Sequence, residues 1–118
     1  MKGGKVKKVN FKDVEGASPE ETKGVDFRQL IAKDMDPPNF YMRLFDIAPG
    51  GHTPKHAHEW EHEVFVVKGK GKIVLDGVEE KLSEGDAVYV EPEELHQFVN
   101  SSSSTLRLIC IIPKPPGK

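Results

Sequence analysis

A single cysteine, Cys110, stands in the whole chain. No internal disulfide can form, and nothing calls for an oxidising compartment. No apolar run approaches the roughly 20 residues that a membrane-spanning helix needs, and the N-terminus lacks the apolar stretch of a secretory signal. The expected location is therefore the cytoplasm, with no membrane partner. An excess of either charge is also missing. The 17 basic and 19 acidic residues leave a net charge of −2, which gives no electrostatic case for nucleic acid. The Lys-rich pieces, Lys2 to Lys8 and the C-terminus, read as solvated tails. The serine run has no Gly-x-Ser-x-Gly elbow to make a nucleophile. Lys68-Gly69-Lys70-Gly71 lacks the following helix of a phosphate loop and reads as a hairpin turn. Helix signals are scarce as well. Ser18-Pro19-Glu20-Glu21 is the best, and it supports a single turn at most.

What is present reads as strands in one domain of ordinary size. Apolar and β-branched segments recur between turn signals. They are Phe27 to Ala32, Asn39 to Ile47, Glu63 to Val67, Ile73 to Leu75, Val78 to Leu82, Ala87 to Val90, His96 to Val99 and Leu106 to Ile112. Pro37-Pro38 blocks a helix, Pro49-Gly50-Gly51 ends the second strand, and Asp76-Gly77 is a strong hairpin signal. Asn100 to Ser104 reads as a polar, mobile hairpin connection. Many short strands imply an all-β sandwich or barrel. Alternation then turns Leu106, Leu108 and Cys110 inward with His96, Phe98, His62, Val64 and Val66, and Arg107 outward.

The chain holds five histidines, and four form one constellation: His56, His58 and His62, answered 34 positions later by His96. Imidazole is a common metal ligand, and four can hold a transition-metal ion unaided. Side chains two apart on an extended strand share a face, so His56 and His58 can grip one ion and His62 can join them. His96 must arrive from elsewhere in the fold. The fifth, His52, reads as a loop or pocket-rim residue. Glu59, Glu61 and Glu91 are candidate acceptors for the outer ring N–H groups, although surface solvation suits each of them better. Trp60 is expected to pack over the site, Cys110 to be a small buried hydrophobe near it, and Arg43 to form a structural ion pair or reach a substrate carboxylate.

These spacings resemble the cupin superfamily, in particular its small single-domain, cupin 2 type members. Gly50, five residues, His56-Ala57-His58, three residues, His62, six residues and Gly69 follow the first cupin motif. Gly85, His96 and Asn100 follow the second. His62 takes the place of the usual Glu ligand, with Glu63 beside it at opposite parity. Pro92 and Glu94 alter the turn before His96. The His56 to Glu63 segment, with Asn39 to Phe45 and Ile111 to Lys114, looks much like small thermophile cupins with four-histidine manganese-type sites. The resemblance implies a double-stranded β-helix, or jelly-roll barrel, over residues 25–114. Residues 1–24 would be an arm, partly extended or flexible, and 115–118 a tail. It also implies a homodimer, a reading that apolar outer positions such as Phe65 and Val67 favour.

Four neutral imidazoles leave the charge of a divalent ion uncompensated and open two coordination positions to a small-molecule substrate. The expected cofactor is one divalent transition-metal ion per chain, manganese first, with iron, nickel, copper or zinc open. The expected function is a dioxygenase-like enzyme acting on a small oxygenated or aromatic molecule. The alternatives are a binding or sensing domain without turnover, or a metal-dependent isomerase or lyase. No general base is evident near the histidines, which disfavours the last.

Overall fold

The alternation read along the chain becomes eight antiparallel strands in the computed structural model, which describes residues 6–115. They are β1 (Lys23–Ile31), β2 (Phe40–His52), β3 (His62–Lys68), β4 (Lys70–Leu75), β5 (Val78–Ser83), β6 (Ala87–Val90), β7 (His96–Val99) and β8 (Leu106–Pro113). They form one sheet in the order β5-β4-β7-β2-β8-β3-β6, with β1 added on β2, and the sheet curls into the all-β jelly-roll barrel. Among the described residues there is no α-helix, and none long and apolar enough to cross a membrane. Most of the N-terminal Lys-rich piece's first half, Lys2 to Lys5, and residues 116–118 lie outside the described residues.

Parity fixes the inside of the barrel. In β8 every second residue is buried: Leu106, Leu108, Cys110 and Ile112 face in, while Arg107 faces out and holds Asp46 of β2 through two hydrogen bonds of 2.7 and 2.8 Å. In β3, His62, Val64 and Val66 are buried and Phe65 and Val67 are exposed. Ile47, Ile73, Val90 and Phe98 complete a core to which most strands contribute. The inward set is what alternation predicts.

Three connections differ from the sequence reading. The turn at Lys68-Gly69 is no hairpin: β3 pairs with β6 and β8, whereas β4 pairs with β5 and β7. The chain crosses there from one part of the curled sheet to another. Gly69 is needed at that corner, since it has φ +92° and a Cβ would lie 2.3 Å from the Thr105 carbonyl oxygen. Asn100 to Ser104 is no hairpin either, because β2 lies between β7 and β8 in the sheet. That loop is organised by the fully buried Asn100. Its amide donates to the Ile47 and Ser104 carbonyls, each at 2.8 Å, and its carbonyl oxygen accepts from the Ser102 backbone and hydroxyl. By contrast, Asp76-Gly77 makes the expected tight hairpin of β4 and β5, both residues at positive φ.

The third difference sits in β2. Pro49-Gly50-Gly51 does not end the strand, which runs on to His52. The register on β1 shifts between Val25↔Ile47 and Lys23↔His52, so the strand bends through a bulge. Past the bend it leaves β8 and joins β7, with Gly50 N–H donating to the Asn100 carbonyl and Asn100 N–H to the Gly51 carbonyl. The bend is what brings the segment after β2 alongside His96.

The N-terminal segment packs beside β1. Its one helical turn is a 3-10 turn at Phe11–Asp13, capped by Asn10, while Ser18 to Glu21 forms a plain turn with Glu21 at φ 63°. Arg28 donates to the Phe11 carbonyl at 2.7 Å, and Arg107 stacks over the Phe11 ring at 4.6 Å. Ala17 bridges Phe27.

Gly51 permits the bend because any Cβ there would meet the Lys23 carbonyl oxygen at 2.4 Å and that of Ala48 at 2.9 Å. Gly51→Ala is expected to lower stability by about 1–3 kcal/mol, as overpacking against backbone does. Gly77→Ala has open space around the new methyl and bears only the strain of its positive φ, about 1 kcal/mol. Urea unfolding of both variants checks this. Equal losses would show that crowding at Gly51 does not matter.

Candidate metal centre

Two segments far apart in sequence are laced together by backbone hydrogen bonds at one end of the barrel. His56 N–H donates to the His96 carbonyl at 3.0 Å, and His96 N–H donates back at 2.8 Å. The Glu93 N–H donates to the His58 carbonyl, with Glu93 itself at φ 68°. This bond ties the turn around Pro92 and Glu94 to the His58 segment. Between His58 and His62 the chain bends at Glu59-Trp60, so His62 enters as the first residue of β3.

The result is a cluster of three imidazoles. His58, His62 and His96 each offer a ring nitrogen, all within 4.8 Å of one another. His62 and His96 are buried and His58 is half-buried. Ring centroids are 5.1 Å apart for His58 and His62, 5.6 Å for His58 and His96, and 4.8 Å for His62 and His96. His56 stands beside them, 5.2 Å from the His58 ring, but its Nε2 turns to the Glu21 carboxylate at 3.5 Å. His52, read from the sequence as a loop or pocket-rim residue, is instead the last residue of β2 and does not line the cavity; its Nδ1 lies near the Thr53 carbonyl and Gln97.

Burial keeps the three rings neutral. It is the first cause that pulls His58 down to about 4 and His62 to about 3 from the ordinary 6.5, with repulsion from His96 next in both. His96 is lowered for the same first reason, partly offset by its bond to the Glu94 carbonyl. That bond, 2.9 Å from Nδ1, leaves Nε2 as the lone-pair nitrogen. His62 Nε2 is buried with no hydrogen-bond partner, an unmet need that a metal ion would satisfy. A buried orphan nitrogen, depressed basicity and outward ring bonds fit a divalent transition-metal ion, and His58, His62 and His96 are the residues that can hold it.

The residues around the cluster meet expectation in part. Glu59, Glu61 and Glu91 make no hydrogen bond to a cluster histidine among the described residues. The outer acceptors are the Glu94 carbonyl and the Cys110 sulfur, 3.3 Å from His62 Nδ1. Trp60, expected to pack over the site, stacks flat on the His58 ring, with centroids 5.0 Å apart and planes within 3°. Among the described residues Arg43 makes no ion pair; one guanidinium nitrogen donates to Cys110 Sγ at 3.0 Å. Cys110 is buried as expected, and burial raises its thiol pKa against the pull of Arg43. Pro19, Glu21 and Thr22 reach the site from the N-terminal segment. No spacing in the sequence announces them, because the approach depends on how that segment docks.

A cavity of about 260 Å³ opens at the cluster. Its wall is mainly apolar, with Phe27, Phe45, Val64, Phe98 and Leu108 beside the histidines, and it contains no Asp or Glu. Residues 43–112 match the Cupin domain family, whose span includes every cluster residue. The chain belongs to the cupin family. It is similar to the structure of the polyketide cyclase RemF from Streptomyces resistomycificus, with 30% identity, a TM-score of 0.86, and coverage of 97% of this cupin and 83% of that chain. It is 27% identical over 109 residues to the polyketide synthase CurC of Streptomyces cyaneus, covering 87% of this chain and 71% of the other. A third relative, the 1-methylthio-D-xylulose 5-phosphate methylsulfurylase of Rhodospirillum rubrum, is 27% identical over 71 residues. That match takes in 60% of this chain and only 46% of the enzyme.

The depressed histidines fix the sign of a pH effect on the metal-free protein. Unfolded histidines take up protons near 6.5, whereas folded His58 and His62 resist until about 4 and about 3. Stability is fully present above pH 6.5 and falls as the pH drops from there toward 4. Chelated protein is expected to melt several degrees lower at about pH 5 than at about pH 7.5, with a smaller difference in His62→Gln. Melting temperatures that do not change over this interval would show that these rings are not held neutral.

Proposed function

We propose that this cupin is a metal-dependent enzyme acting on a small oxygenated molecule of aromatic or polyketone type. The observation that carries the reading is the convergence of neutral imidazoles on a mainly apolar cavity. In this reading His56, His58, His62 and His96 hold one divalent transition-metal ion per chain, manganese first, with iron, nickel, copper or zinc as alternatives. Support for His56 comes from its backbone bridge to His96 and its nearness to His58; its ring would leave Glu21 to join the other three. The bound ion would supply Lewis acidity toward a carbonyl or enolate oxygen and, where redox-active, electron transfer.

The chain's own residues would do the positioning. Phe27, Phe45, Phe98 and Leu108 exclude water and accept a flat ring. Cys110 accepts from His62 Nδ1 and so keeps Nε2 free. The polyketide cyclase and polyketide synthase relatives favour ring closure on a polyketide-type substrate. Oxygen-dependent cleavage of a C–C or C=C bond is the second reading, favoured because no carboxylate lines the cavity among the described residues and Glu21, the acid beside His56, is exposed. A homodimer is part of the proposal, supported by the exposed Phe65, Val67 and Tyr89 on the outer face of β3 and β6.

Elemental analysis of the protein as purified should find about one transition-metal ion per chain. His58→Ala and His96→Ala should bring it near zero, His56→Ala should weaken retention against a chelator at least about tenfold, and His52→Ala should change nothing. Full occupancy in His58→Ala or His96→Ala would refute the assignment, and unchanged retention in His56→Ala would leave three ligands. Polyketone and phenolic compounds should be turned over by the metal-loaded protein without oxygen and with zinc. Turnover that needs oxygen and manganese or iron would select the second reading. No turnover under any of these conditions would leave a binding domain.

A further inference from the structure

Among the described residues, Arg43 is the one side chain in the cavity wall that carries a permanent charge. It projects from β2 among groups that do not neutralise it. Its strand neighbours in register are Gln29 on β1 and Cys110 on β8. The nearby acids are engaged elsewhere, Asp46 with Arg107 and Asp26 with Arg28. No ion pair among the described residues includes Arg43. Of the five N–H donors of its guanidinium, one reaches an acceptor, the weakly accepting Cys110 sulfur at 3.0 Å, and Nε–H is buried with none.

The group is nonetheless held firmly. Its Cζ stands 5.7 Å from the Phe27 ring centre and 5.5 Å from that of Phe45, two rings that themselves pack with centroids 4.8 Å apart. The Cys110 sulfur it touches is 3.3 Å from His62 Nδ1, so the guanidinium lies one side chain away from the histidine cluster. An unpaired cation in an apolar wall is costly to keep. Stacked and left with free donors, it is arranged for a partner that the folded chain does not itself contain.

We infer that Arg43 anchors an anionic oxygen group of the ligand, a carboxylate or an enolate, with the apolar body of the ligand lying along Phe27, Phe45, Phe98 and Leu108. The assignment rests on the reading of this cavity as the substrate site and adds the charge of what enters it. A guanidinium suits such a group because its planar fork matches two oxygens at once. A bound divalent ion would add to the attraction, although the anchor does not require one.

Benzoate and its neutral isostere benzamide separate charge from shape. Calorimetric titration of the full chain, metal-loaded and after chelation, should show benzoate binding at least about tenfold tighter than benzamide in both states. Arg43→Met should lose that preference, and Arg43→Lys should keep part of it. Because Met removes an unpaired buried charge, Arg43→Met should melt no lower than wild type. A merely structural arginine that props Cys110 would instead lower the melting temperature and leave the preference intact. Equal binding of benzoate and benzamide by wild type, or an unchanged preference in Arg43→Met, would overturn the anchor. If no metal is retained but the Arg43-dependent preference persists, the metal reading fails and the anchor stands. If metal is retained at one per chain without the preference, the reverse holds.

Discussion

The reciprocal backbone pair between His56 and His96 is the contact on which the rest of the site depends. It joins the loop after β2 to the start of β7, and it sets the distance at which imidazoles from two remote segments face each other. The Glu93–His58 bond adds a second tie one step along the loop. Backbone bonds of this kind do not vary with side-chain rotamer, so the cluster is positioned before any ion arrives. The bend at Gly51 serves the same end, because β2 must leave β8 and turn toward β7 for the two segments to meet.

Enclosure then decides the chemistry of what has been brought together. Rings crowded in a dry site repel one another's protons, and burial makes the charged form costlier still, so the lone pairs stay available over the ordinary pH range. The outer nitrogens are aimed by a backbone carbonyl at His96 and by a sulfur at His62. Cys110 thereby links the cluster to Arg43, and this fixed charge of the wall sits next to the neutral rings.

The strands and their inward faces were legible in the sequence because alternation has a period that any window reveals. His62, Val64 and Val66 face in, as do Leu106, Leu108 and Cys110, and all of them could be placed inside from their spacing alone. The connections were harder. Lys68-Gly69 and Asn100 to Ser104 look like hairpin turns, but the first carries the chain past three strands of the sheet and the second past one. Turn residues report local dihedral angles, which a hairpin and a sheet-crossing corner can share. Pro49-Gly50-Gly51 misled for a related reason, since residues that end most strands also permit a bulge within a longer one.

The sequence by itself determined an all-β chain, four candidate ligands and their approximate grouping, because histidine spacing and apolar alternation are local properties. Tertiary structure decided which of those histidines converge now, three in a cluster with His56 turned to Glu21. It also decided that Arg43 goes without an acid, that Cys110 and the Glu94 carbonyl are the outer partners, and that Pro19 and Thr22 reach the cavity. Each of these depends on distances between segments remote in the chain. Such distances are set by strand order and by the docking of the N-terminal segment, and neither leaves a periodic trace in the sequence.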